Sequence, residues 1–61
     1  MEAPEKKRVL VIEDEARIAE GLRLNLSLAG YAVSVAPDGI DGLAQWRAWQ
    51  PDLIVLDIML P

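Results

Sequence analysis

Pro51-Asp52-Leu53-Ile54-Val55-Leu56-Asp57-Ile58-Met59-Leu60-Pro61 is the stretch on which the reading of this chain turns. Leu53 to Leu56 is an unbroken apolar run with β-branched members behind a Pro-Asp dipeptide, the pattern of a short strand covered on both faces. Asp57 follows it directly. An acid at the carboxyl end of such a strand either caps the next segment or stands over the crest of a sheet, where open α/β folds place their chemistry. A second acidic group bears on the choice. Val9-Leu10-Val11-Ile12 is another apolar run, and it ends in Glu13-Asp14-Glu15. If the two runs are neighbouring parallel strands, about 4.8 Å apart, their acids converge.

The composition narrows the chemistry. A chain of 61 residues is one small domain or part of one, and a fold of this size covers only about 60% of the surface its unfolded chain exposes. There is no cysteine, so disulfides and thiolate metal sites are excluded and the cytoplasm is the expected compartment. The absence of histidine removes imidazole bases, Ser-His triads and the commonest zinc ligand. A net charge of −4, six Lys/Arg against ten Asp/Glu, argues against nucleic-acid contact by this segment. No apolar run reaches the roughly 18 residues of a membrane span, and residues 1–8 lack the apolar core of a signal peptide.

Outward from the two strands, the remaining elements fall into order. Residues 1–7 read as a flexible terminus, and Lys6-Lys7-Arg8 as a solvated flank with no role. The acids at 13–15 suit the positive end of a helix dipole, with Asp14 as N-cap and Glu15 in the first turn; capping is compatible with a site role. A helix from Ala16 to Ala29 would turn Ile18, Leu22, Leu26 and Ala29 inward, with Ala19 and Leu28 beside them, and Arg17, Glu20, Arg23 and Asn25 outward. Gly30 reads as its C′ residue. Tyr31 to Ala36 alternates as a second strand, and its small residues suggest an edge. Pro37-Asp38-Gly39 turns the chain, with Asp38 able to cap a helix from Ile40 to Trp49 and Asp41 three residues on. Leu43, Trp46 and Trp49 recur along that helix, so the tryptophans read as core and rim packing, not as a stacking platform. Gly42 inside the helix costs about 1 kcal/mol against alanine, which a close helix–sheet approach would explain. Short connections in a β-α-β-α-β order call for right-handed crossovers and a parallel sheet.

Val9-Leu-Val-Ile-Glu-Asp-Glu15, the Pro37-Asp-Gly39 turn and Pro51-Asp-Leu-Ile-Val-Leu-Asp-Ile-Met-Leu-Pro61 together resemble the first half of the receiver domain of two-component response regulators. The resemblance runs over residues 8–61, and the Asp-Ile-Met-Leu-Pro ending is most similar to receivers that precede a winged-helix DNA-binding domain. It implies a partial flavodoxin-like α/β fold with parallel strands in the order 2-1-3. It further implies that Asp57 is the phosphoacceptor for a partner histidine kinase, that Asp14 holds magnesium directly and Glu13 through water, and that the Met59 carbonyl also meets the metal. The expected role is regulation of transcription within a longer parent. Elementary electrostatics agrees. Carboxylates crowded at one crest must hold protons or share a cation, and an all-oxygen site of few ligands suits magnesium.

The resemblance also implies later elements: a strand ending in a hydroxyl residue and another ending in a lysine that contacts the phosphoryl group. Residues 8–61 have no lysine and no threonine, so the expectation is a truncated receiver, switching-incompetent by itself and impaired in phosphoryl transfer. Its third strand would then be an apolar edge, open to pairing with another copy. An enzyme is not expected. Glu13-Asp14-Glu15 does not fit the Asp-x-Asp nucleophile of haloacid-dehalogenase-like phosphatases, and neither Gly39 nor Gly42 lies in a phosphate-cradling loop.

Overall fold

A computed structural model describes residues 5–57 of the chain. Five elements alternate: β1 (Arg8–Ile12), α1 (Ala16–Leu28), β2 (Ala32–Ala36), α2 (Gly39–Trp49) and β3 (Leu53–Leu56). The strands form one parallel sheet in the order β2-β1-β3, as the resemblance implies. The helices pack on β1 and β2 but not on β3. Central β1 is therefore the buried strand: Val9, Leu10 and Val11 are core, joined by Ala19 and Ala36.

Coverage of β3 differs from what its apolar run suggests. Leu53, Ile54 and Leu56 are all exposed and only Val55 is half-buried. A continuous apolar run records what a strand can tolerate on its two faces; no helix of the described residues supplies that cover. The expectation of an open third-strand edge is the one that matches.

On the first helix Ala19 is buried and Leu22 and Leu26 are half-buried, while Ile18, Leu28 and Ala29 are exposed. Ala19, Leu22 and Leu26 are thus on the inward side as expected, and Ile18, Leu28 and Ala29 are not. Gly30 takes φ +102° after the helix, and glycine adopts that conformation without the Cβ penalty. In α2 the Asp38 carboxylate accepts the Asp41 N–H at 2.8 Å, as expected. A Cβ on Gly42 would lie 2.5 Å from Ile12 Cδ1. That is the close helix–sheet approach which accounts for a helical glycine. Gln45 holds α2 to β2 by donating to the Val35 carbonyl and bonding the Ser34 hydroxyl.

Arg8 corrects the reading of the basic triplet. Its guanidinium donates to the Trp49 carbonyl at 2.7 Å and lies over the Trp49 ring, and its backbone N–H donates to the Asp52 carboxylate. Lys6 and Lys7 are solvated; Arg8 fastens the end of α2 to the start of β1. Trp46 is half-exposed and Trp49 half-buried, so both are rim residues.

Candidate functional site

Parallel register determines where the acids fall. Ile12 pairs with Ala36 on one side and with Leu56 on the other, so all three strands end level. The residues that follow them, Glu13-Asp14, Pro37-Asp38 and Asp57, crown one edge of the sheet. Two backbone hydrogen bonds extend the ladders just past the strands: Glu13 N–H donates to the Ala36 carbonyl at 3.0 Å, and Asp57 N–H donates to the Ile12 carbonyl at 3.1 Å. This is the carboxyl end of a parallel sheet, the position at which open α/β folds bind ligands.

Glu13 is the unusual member. It is 2% exposed, and its two oxygens have different fates. Oε1 accepts the Glu15 N–H at 2.9 Å; Oε2 is buried without a hydrogen-bond partner. The Glu15 N–H draws the Glu13 pKa down. The neighbouring Asp57 carboxyl, burial and Asp14 together outweigh it, so the net shift is upward. Like charges and desolvation both disfavour the ionised form. The expected Asp14 cap is not made: Glu15 occupies the N-cap position of α1 and no side chain caps there. The Glu13 carboxylate instead accepts the N–H of Glu15 itself, just before the helix begins. Glu15 consequently precedes the first turn and is not within it.

Asp14 and Asp57 line a cavity of about 230 Å³ whose floor is Ile12 and Leu56 and whose far wall is Pro37, Asp38 and Gly39. Glu13 does not line it; it borders a separate hollow on the α1 side. Of the four residues singled out from sequence, Glu13, Asp14 and Asp57 are therefore gathered at one crest. Met59 lies outside the described residues. The sequence pattern gives Asp38 only a capping role, yet its loop also lines the cavity. The available signal was that Asp38, like Glu13 and Asp57, comes within two residues of the end of a parallel strand.

An oxygen-only donor set with one orphaned, buried carboxylate oxygen fits a hard cation. Among the described residues no three acidic side chains are gathered closely enough to enclose a metal themselves. A cation here would take few protein ligands and keep much of its water, the habit of magnesium. The described residues contain no helix long and apolar enough to cross a membrane.

Comparison with known proteins gives a consistent result. The family model described as response regulator receiver domain matches residues 9–61. The chain is similar to the DNA-binding dual master transcriptional regulator RpaA of Synechocystis sp., with 50% identity over 54 residues, 88% of this chain and 22% of that protein. It is also similar to the response regulator MprA of Mycobacterium avium and of Mycobacterium tuberculosis, 43% identical over 54 residues in each case, 88% of this chain and 24% of each protein. The chain thus spans less than a quarter of the length of these relatives.

Proposed function

Because the chain belongs to the response regulator receiver domain family, we propose that Asp57 accepts a phosphoryl group from a partner sensor histidine kinase, and that the aspartyl phosphate regulates transcription within a longer, cytoplasmic protein. A carboxylate oxygen of Asp57 forms the new P–O bond as the P–N bond of the phosphohistidine breaks and imidazole departs. The observation that carries this reading is the level ending of β1 and β3, with Asp57 bonded through its backbone to Ile12 and its carboxyl close enough to Glu13 to raise that group's pKa. Similarity to RpaA, whose name describes a DNA-binding transcriptional regulator, supports the transcriptional role and a winged-helix effector. The chain itself is then a phosphorylated regulator and not an enzyme, and it makes no direct nucleic-acid contact.

Magnesium would be held by Asp14 and Asp57 directly, by Glu13 through water, and by the Met59 carbonyl. When bound it supplies positive charge against the charge gathering on the phosphoryl oxygens. The protein's own residues do the rest: Asp57 presents the nucleophile at an exposed crest, and Glu13 holds the Asp14-Glu15 turn through the Glu15 N–H. Incubation with an acyl phosphate in magnesium buffer should label the wild-type chain and not Asp57→Asn. Equal labelling of both would sink the assignment.

A second reading concerns assembly. β3 pairs only with β1 among the described residues, and its apolar side chains are exposed. A second copy joined across a two-fold axis normal to the sheet would add an antiparallel β3 and cover that edge. Native mass measurement at micromolar concentration should give a dimer that Ile54→Lys dissociates. A folded monomer at the same concentration would rule this out.

A further inference from the structure

The cavity that holds Asp14 and Asp57 continues across the end of β1 to the Pro37-Asp38-Gly39 corner. A phosphodonor attacked in line by Asp57 projects its leaving group away from the nucleophile, and Asp38 is the charged residue of the wall on the β2 side. Resting on the reading of Asp57 as acceptor, we propose that Asp38 is a specificity-determining residue, favouring phosphodonors whose leaving group is cationic or neutral over those that depart as anions.

Three observations support this. The register Ile12↔Ala36 and Ile12↔Leu56 sets the β2–α2 corner level with Asp57, one strand beyond β1. Asp38 is exposed and anchored: one of its oxygens accepts the Asp41 N–H at 2.8 Å, which fixes the carboxylate on the first turn of α2 in a residue that lines the cavity. Gly39 brings the start of α2 to the same wall, and Gly42 lets the helix approach Ile12 closely enough to hold it there. The charge acts through space on the group that leaves.

Two small donors separate the charge effect from any effect on folding. Acetyl phosphate loses acetate, so its P–O bond breaks to an anion. Phosphoramidate, protonated on nitrogen, loses neutral ammonia as its P–N bond breaks, and the Asp57 oxygen forms the same new bond in both. Asp38→Asn removes the charge and keeps an N-cap side chain of equal quality. At low ionic strength the acetyl phosphate to phosphoramidate rate ratio should rise by roughly two- to fivefold in Asp38→Asn, and the rise should shrink in high salt, as expected for a charge acting across solvent. An unchanged ratio with Asp57 still labelled overturns the role of Asp38. Equal loss of both rates also overturns it, since that would make Asp38 only a cap. Absence of labelling at Asp57 from either donor in the wild type would instead overturn the acceptor reading on which this one stands.

Discussion

Val9, Leu10 and Val11 of β1 are at most 1% exposed, whereas Leu53, Ile54 and Leu56 of β3, an equally apolar run paired directly to them, are 56%, 43% and 57% exposed. The paired stretches, Val9–Ile12 and Leu53–Leu56, are both wholly apolar, equal in length and parallel. They differ in neighbours among the described residues: β1 has a strand on each edge and both helices against it, while β3 has one strand and no helix. Burial, and with it stability, comes from position in the sheet and not from the apolar character of the run. The acids that follow repeat the contrast. Glu13 after β1 is buried with an orphaned oxygen, and Asp57 after β3 is exposed. The buried strand carries the hidden acid, and the open strand carries the accessible one, which is the acid proposed to take the phosphoryl group.

The comparison can be broken most readily in the core. Leu10→Ala should cost about 2–5 kcal/mol, which would unfold much of so small a domain. Leu56→Ala should cost about 1 kcal/mol or less, because much of that side chain stays in water. Urea denaturation of both variants checks this. Similar losses would mean that β3 is covered in solution, as the proposed dimer requires, and repeating the measurement across protein concentrations separates the two cases.

A smaller effect is expected at Glu13. Its folded-state pKa is raised, so the folded chain holds this proton more tightly than the unfolded chain. The contribution to stability is present in acid and is lost as pH rises through the raised value. Glu13→Gln should therefore be more stable than wild type at neutral pH, and the two should converge as pH falls. Asp57→Asn should also stabilise by removing the neighbouring charge. Denaturation midpoints from about pH 4 to 8 test the sign; a Glu13→Gln variant that is less stable at neutral pH would contradict it.

How much of this was legible beforehand depended on sequence distance. The Asp38 cap was readable because donor and acceptor are three residues apart, and Gly30 because a helix end commonly needs a left-handed residue. Strand order and the convergence of Glu13 with Asp57 came from the resemblance together with the rule that parallel strands end at one crest. The cap of α1 was misplaced because a carboxylate just before the helix had already taken the Glu15 N–H. The role of Arg8 was hidden because its partners lie 41 and 44 residues away. For Gly42 a close helix–sheet approach was the expected reason, and what the structure adds is that Ile12 is the residue opposite it. Coverage of β3 could not be judged from β3, since it depends on which other elements reach it.

The most direct test of the account is to locate the phosphoryl group. Treating the acyl-phosphate-labelled chain with borohydride reduces an aspartyl phosphate to homoserine, and peptide mass mapping then reads the position. Homoserine at position 57 is the predicted result. Homoserine at Asp14, Asp38, Asp41 or Asp52, or none at any position, would contradict the claim that the level ends of β1 and β3 make Asp57 the acceptor.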